Sequence, residues 1–322
     1  GNHEGNFKKA KDLLKLVKSS GAKIAKFQIY TGESLVNPVI DQARVEHFNK
    51  FALSTKQYLD LAKLSNDLGL EFNASVWNLD QLEHFDDYLK FYKIGSGDLT
   101  AFNFLSELCK RSKPILLSTG LANFDQIKRS VDFIRSVNPV YNDQSMLTLL
   151  QCTSMYPILD SEANLNVMSS YAELYDCDIG YSDHTIGTDA AELAYSMGAK
   201  AIEVHFTDRK KNRKFRDHQV SFTANDVRQL LLKFKKIDAL KGSPFKTLTK
   251  SELENKHVSS FRRAVYPIRN IKKGSVCKLS DFVTLRPCQG VCATNYFEFK
   301  NAIALKDLSK NQVLSLNDFV FK

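Results

Sequence analysis

From the N-terminus to about residue 242, apolar and polar positions follow one recurring pattern. An amphipathic helical stretch ends at or near glycine, a short apolar or β-branched run follows, and that run closes in polar residues. Apolar spacing of three to four predicts the helices, and the short continuous runs predict buried strands. Helix Asn6–Ser20 stops at Gly21, a common residue just past a helix end, and 22–29 reads as the first strand. Ser54 caps helix 55–68, Gly69 ends it, and 70–74 is the second strand. Next come strand 91–94, helix 101–110, strand 114–117, helix 124–137 and strand 146–151. Strand 178–181, helix 188–197, strand 201–204 and helix 224–240 complete the series. The tripeptide Gly-Ala-Lys joins helix to strand twice, at 21–23 and 198–200.

Seven strands alternating with helices at ~30-residue spacing predict a parallel sheet. Seven units are one short of a (β/α)₈ barrel. An open doubly wound sheet is the competing fold, disfavoured because polar residues follow nearly every strand and barrels gather their chemistry on that face. The pattern changes from about Lys246. Residues 247–258 are polar and helix-like without a strong apolar face, and read as a linker. Residues 259–322 are short apolar runs broken by Lys-Lys-Gly, Leu-Ser-Asp and Leu-Asn-Asp. They predict a small β-rich module of ~60 residues, near the lower limit for an independent core, that leans on the barrel or on a partner subunit.

The 322 residues suffice for about two domains, and 43% hydrophobic content is that of a folded chain. No apolar run approaches the ~20 residues that span a bilayer, so a membrane protein is not expected. The 45 Lys and Arg exceed the 36 Asp and Glu, but the excess is dispersed. Its densest run, Asp208-Arg209-Lys210-Lys211-Asn212-Arg213-Lys214-Phe215-Arg216, lacks the aromatic interleaving or helix-turn-helix spacing of a nucleic-acid site. It reads instead as a solvated loop beside an anionic small-molecule site. The six cysteines form no CxxC or zinc spacing, which predicts reduced thiols and a cytoplasmic location. Cys288 and Cys292 lack two further ligands for a metal.

Four strand ends carry candidate chemistry: Lys26-Phe27-Gln28, Lys93-Ile94-Gly95-Ser96-Gly97-Asp98, Ser118-Thr119-Gly120, and Ser182-Asp183-His184 with Glu203-Val204-His205-Phe206-Thr207 after it. Lysines, hydroxyls and glycine-freed N–H groups at strand ends suit a phosphate or carboxylate. His184 and His205 end adjacent strands, so their imidazoles can converge on one divalent ion such as Mn²⁺, completed by substrate oxygens and water. His3 is a further candidate for that face. His47, His84 and His257 read as solvated surface residues.

These residues, taken in order, resemble the sialic acid synthase family. The resemblance is carried by Asn2-His3-Glu4-Gly5, Lys26-Phe27-Gln28, the 93–98 run and Ser118-Thr119-Gly120. It continues through Gln151-Cys152-Thr153-Ser154-Met155-Tyr156-Pro157, Asn164-Leu165-Asn166, Gly180–Thr185 and Glu203–Thr207. The tail resembles that family's antifreeze-like domain through Arg262-Arg263, Ile271-Lys272-Lys273-Gly274 and Arg286-Pro287. The resemblance implies a (β/α)₈ barrel that condenses phosphoenolpyruvate with an N-acetylated hexosamine aldehyde. It assigns a divalent metal (Mn²⁺ or Mg²⁺) to His184 and His205. Lys26, Gln28, Lys93, Ser96, Ser118, Ser154 and Ser182 match the phosphoenolpyruvate cradle; Tyr156, Asp217 and Arg286 match sugar contacts. It also implies that the tail caps the partner's barrel in a domain-swapped homodimer. Asp98 is the candidate carboxylate that orients or deprotonates water at C2 of the enol phosphate.

Three departures mark this chain. Ser75 stands where many members carry a Thr-Pro-Phe threonine, keeping the hydroxyl. Lys214-Phe215-Arg216 replaces a Gly-Pro pair before Asp217. Arg286-Pro287-Cys288-Gln289-Gly290-Val291 alters the usual Arg-Pro-Gly turn. The chain opens at Gly1 without an initiator Met, just after the point where the family's first strand would end in a functional Glu. A fragment with a gap between its second and eighth barrel strands, poorly soluble or inactive, is therefore expected. Two other readings stay open: a metal-dependent pyruvate aldolase, and a barrel without catalysis that serves as a binding subunit. The acceptor sugar, whether N-acetylmannosamine, its 6-phosphate or a diacetamido sugar, is not fixed by sequence.

Overall fold

A computed structural model describes residues 1–321 and divides into two compact units, Gly1–Gly242 and Ser243–Lys322. Seven strands form the first unit: β1 (Ile24–Ile29), β2 (Glu71–Val76), β3 (Tyr92–Ile94), β4 (Ile115–Ser118), β5 (Leu147–Cys152), β6 (Asp178–Asp183) and β7 (Ala201–Val204). Every neighbouring pair is parallel, and spatial order follows chain order. One ladder holds β1–β2 and a second holds β3–β7. Asn73 Nδ2, donating to the Phe91 carbonyl at 2.9 Å, ties the two together. Among the described residues no ladder joins β7 to β1. The architecture is thus a curled parallel α/β sheet resembling part of a barrel, and the closed eight-stranded cylinder is not seen.

The helices are α1 (Phe7–Ser20), α2 (Gly32–Leu35), α3 (Gln42–Phe51), α4 (Thr55–Asp67), α5 (Leu79–Phe85), α6 (Phe102–Cys109), α7 (Phe124–Val137), α8 (Val167–Tyr175), α9 (Asp189–Ser196) and α10 (Ala224–Lys241). Period-two alternation sorts each strand's side chains. Ala25, Ile29, Phe72, Ala74, Tyr92, Ile94, Ile115, Leu117, Leu147 and Leu149 enter one apolar core with Leu14, Leu61, Leu105 and Ile134 of the helices. Fully burying such a side chain contributes roughly 1.5–3 kcal/mol before entropy is counted. Lys26, Gln28, Asn73, Ser75, Lys93, Ser118, Ser182 and Glu203 take the alternate positions.

That alternation explains the main difference from expectation. Strand β2 runs on to Val76, β5 to Cys152 and β6 to Asp183, past the polar residues at which the apolar runs stop. Those polar residues belong to the strands because they are buried: Ser75, Ser118, Ser182 and Asp183 are all below 5% exposed. Gly180 is required where β6 meets its neighbours, since a Cβ there would stand 2.3 Å from Leu150 Cδ2 and 2.6 Å from the Ala201 carbonyl oxygen. Helices α2, α3, α5 and α8 were not legible. The first and third are four and seven residues long, and α3 buries only Val45, so its apolar stripe is faint.

In the second unit α11 (Lys250–Glu254) and α12 (His257–Phe261) precede β8 (Ala264–Pro267) and β9 (Phe282–Leu285), which pair antiparallel. Strands β10 (Ile303–Ala304) and β11 (Phe319–Val320) form a second antiparallel pair. The stretch 247–258 therefore contains α11 and the start of α12, neither of which buries a residue. Val265, Phe282, Phe299, Leu314 and Phe319 form the unit's own small core. No helix of the described residues is long and apolar enough to cross a membrane.

Candidate active site

Five side chains from β1, β3, β4, β6 and β7 meet at the carboxyl ends of the strands. Lys93 Nζ donates to Ser118 Oγ at 2.8 Å and to the Ile94 carbonyl at 2.9 Å, and lies 3.4 Å from Glu203 Oε2. Lys26 Nζ lies 3.2 Å from Glu203 Oε1. Ser182 Oγ donates to Glu203 Oε2 at 2.6 Å. Burial opposes the ionisation of Glu203, but Lys93 and Lys26 outweigh it and hold the carboxyl far below the usual range. Burial likewise lowers the Lys93 ammonium, and Glu203 pulls it back up. Two cations thus share one carboxylate, which leaves an excess of positive charge for an anionic ligand.

The turn after β4 brings further donors to the same place. Thr119 donates to the Leu150 carbonyl from its N–H at 3.1 Å and its hydroxyl at 2.9 Å, and Tyr171 donates to Thr119 Oγ1 at 2.8 Å. So pinned, the Gly120 N–H donates to Ser96 Oγ at 3.1 Å. A Cβ on Gly120 would fall 2.8 Å from Ser96 Oγ and 3.2 Å from Ser154 Cβ, so any side chain there would push the two serines apart. Asp98 follows Ser96 in one short 3₁₀ turn. Burial raises its carboxyl, against a hydrogen bond from Trp77 and the charge of Lys93.

Beside this anion site stand His184 and His205, with ring centroids 5.2 Å apart. His184 Nδ1 is 2.7 Å from the Thr153 carbonyl oxygen, a contact that assigns the proton to Nδ1 and leaves the Nε2 lone pair free. His205 Nδ1 is 3.8 Å from Asp217 Oδ2. Burial lowers both imidazoles, so both are neutral near pH 7, the form that ligates metals. Among the described residues no cluster of three or more His, Cys, Asp or Glu is arranged to hold an ion, and the two imidazoles stand as a pair. The Tyr156 ring lies tilted against His184, centroids 4.0 Å apart, and meets His205 edge-on at 5.4 Å.

The structure thus unites Lys26, Lys93, Ser118 and Ser182; Ser96 with Ser154; and His184, His205, Tyr156 and Asp217. Gln28 and Ser75 sit opposite each other in the β1–β2 register, on the same face as Lys26. Arg286 belongs to the second unit, where its guanidinium lies 5.1 Å over the Phe261 ring. His3 does not join the histidine pair. It is buried against Phe27 and Tyr58, its Nδ1 accepting from the Gly5 N–H, because Phe27 points to the helical side of β1. Glu203 was missed as a site residue, although its spacing of two from His205 already places both on one strand face. His218 was missed as well. It is fully buried, with Nδ1 2.7 Å from Thr207 Oγ1 and Nε2 2.8 Å from Glu4 Oε1.

Residues 13–246 match the model of the NeuB family. The chain is 29% identical to the N,N'-diacetyllegionaminic acid synthase of Campylobacter jejuni, over 97% of this chain and 96% of that protein. It is 30% identical to the N-acetylneuraminate-9-phosphate synthase of Homo sapiens, over 78% and 72%. Among solved structures, the N-acetylneuraminic acid synthetase of Leptospira borgpetersenii, determined with citrate, superposes with a TM-score of 0.72 at 24% identity, over 80% of this chain and 87% of that one. With the family model spanning most of its length, this chain belongs to the NeuB family.

Proposed function

We propose that the chain condenses phosphoenolpyruvate with the aldehyde of an N-acetylated amino sugar, N-acetylmannosamine or a related diacetamido sugar, giving a nonulosonic acid and inorganic phosphate. The observation that carries this reading is the pair Lys26 and Lys93 sharing Glu203 within hydrogen-bond reach of Ser118 and Ser182, directly beside two neutral histidines. An enol phosphate needs its phosphate and carboxylate held by cations, and Lys26, Lys93 and the Ser96–Gly120–Ser154 turn supply the donors. Held so, C3 attacks the aldehyde carbon. The C2 cation that results takes up water; the proton the water loses passes through a carboxylate to the new alkoxide, and the C2–O bond to phosphate then breaks as the C2 hydroxyl becomes the ketone, its proton leaving with phosphate. Asp98, its carboxyl raised by burial, is the base for the water proton. His184 and His205 would hold a divalent ion, Mn²⁺ or Mg²⁺, whose chemistry when bound is to polarise the aldehyde oxygen. Phosphate release that requires both phosphoenolpyruvate and an amino sugar is the test; C–C bond formation from pyruvate, without phosphate, would favour an aldolase.

The sharing of Glu203 makes a pH prediction. Glu203 raises the Lys93 ammonium against the pull of burial. In Glu203→Gln the main counterweight to burial and to the Lys26 charge is gone, so Lys93 loses its proton at lower pH. The alkaline limb of the kcat/KM profile for phosphoenolpyruvate should therefore move to lower pH, and a limb that stays in place would separate Lys93 from Glu203.

The second unit enters through Arg286, set in a turn before Pro287. A guanidinium suits an acetamido oxygen or carboxylate, and we take it to cap the barrel of a partner protomer in a domain-swapped dimer. Arg286→Ala should raise KM for the amino sugar much more than KM for phosphoenolpyruvate. Mixing Arg286→Ala with His184→Ala chains should restore part of the activity, since one site of the heterodimer keeps an intact barrel and cap. No recovery after demonstrated subunit exchange would mean that the cap serves its own chain.

A further inference from the structure

The loop 208–217 carries six basic and two acidic side chains, and it is fixed rather than free. The Thr207–His218 hydrogen bond closes its base. Near its end Phe215 packs against Phe51 of α3, ring centroids 4.8 Å apart. These two anchors set the next residue, Arg216. Its guanidinium lies 4.5 Å over the Tyr156 ring, and its Nε is 3.4 Å from Asp217 Oδ1. Tyr156 and Asp217 are the same side chains that contact His184 and His205. Burial decreases steadily along this series. His184 is 3% exposed, Tyr156 is half-buried, and the Arg216 side chain is 66% exposed.

An acceptor whose aldehyde reacts beside the histidines therefore places its far end at Arg216. The stack and the single contact to Asp217 occupy one face and one nitrogen of the guanidinium. Its terminal nitrogens have no partner among the described residues, and they form the planar fork that grips phosphate oxygens in pairs. The loop as a whole is also cationic. Among the described residues, Arg209, Lys210, Lys211 and Lys214 have no carboxylate within ion-pair distance, while Arg213 is paired with Asp208. A neutral sugar tail has no use for that open fork; an anionic one is held by it, and the net positive charge of the loop favours its approach.

We infer that Arg216 is a specificity-determining residue that selects an amino-sugar acceptor bearing a phosphate ester at the end remote from its aldehyde. The inference rests on the condensation reading above and narrows its acceptor. The test is steady-state phosphate release at saturating phosphoenolpyruvate with N-acetylmannosamine and with its 6-phosphate. Wild-type protein should prefer the phosphorylated acceptor in kcat/KM by about tenfold or more. Arg216→Ala should reduce that ratio by about tenfold through KM, and Arg216→Lys should restore part of it. Equal use of the two acceptors by the wild type, or an unchanged ratio in Arg216→Ala, overturns the inference. If neither acceptor supports phosphate release, the condensation reading fails for these two acceptors, separately from the role of Arg216. Calorimetric titration with the sugar phosphate then decides the inference: it stands if wild type binds about tenfold more tightly than Arg216→Ala, and falls if the affinities match.

Discussion

Replacing Lys93 by methionine should lower kcat/KM for phosphoenolpyruvate by about 10³, because it removes one of the two ammonium groups proposed to hold the phosphate and its leaving charge. Methionine keeps the length of the stem, so the loss reports charge and hydrogen bonding rather than shape. The same change strands Glu203. With Lys93 gone, chiefly Lys26 and the Ser182 hydroxyl compensate its carboxylate, and burial then pushes the carboxyl up. Breaking a buried pair by deleting one partner costs on the order of 3 kcal/mol, visible in chemical denaturation. The double variant Lys93→Met with Glu203→Gln separates the two effects. It removes the stranded carboxylate and leaves only the half-buried Lys26 without its partner, so part of the lost stability should return while the rate stays down. A single variant that turns over within tenfold of wild type would remove Lys93 from the site.

Much of this site was legible because strand chemistry is periodic. Lys26, Lys93, Ser118 and Ser182 are polar interruptions in runs that otherwise read as buried, and an alternating strand turns such interruptions to one face. His184 and His205 were legible for the same reason, each closing a strand whose neighbour could be counted. The role of Glu203 was not, because its partners lie on β1 and β3, reached across the interior of the curled sheet rather than along the chain. His3 was misread because a polar residue in a loop gives no sign of which side of β1 it will pack on; Phe27 and Tyr58 decided that. The strand ends were cut short for a related reason. Apolar runs stop at Ala74, Gln151 and Tyr181, yet the ladders continue, since the interior here is lined with hydroxyls and charges rather than methyl groups. Helix α3 was lost because one fully buried side chain leaves almost no stripe. It matters all the same, for its Phe51 anchors the loop that carries Arg216.

The second large effect concerns the histidine pair. His205→Ala should abolish turnover and weaken Mn²⁺ binding by about a hundredfold or more, the loss expected when one of two protein ligands is deleted. The fold should survive. The His205 side chain is 24% exposed, its ring contacts are Tyr156 and His184, and the Phe222 N–H donates to its backbone carbonyl, which alanine keeps. A Tm within about 2–4 °C of wild type is expected, close to the shift for 1 kcal/mol in a chain of this size. Calorimetric titration of chelator-treated protein with Mn²⁺ reads the binding directly, and phosphate release reads the chemistry. Acidification offers an independent check. A proton competes with the ion only below the folded pKa of the imidazoles, and burial lowers both from the ordinary histidine value. Mn²⁺ binding should therefore persist below about pH 6, where an exposed histidine pair would already have released it. Release on approaching pH 6 would place these rings in contact with water. Full activity of His205→Ala after exhaustive chelation would rule out a metal at this position.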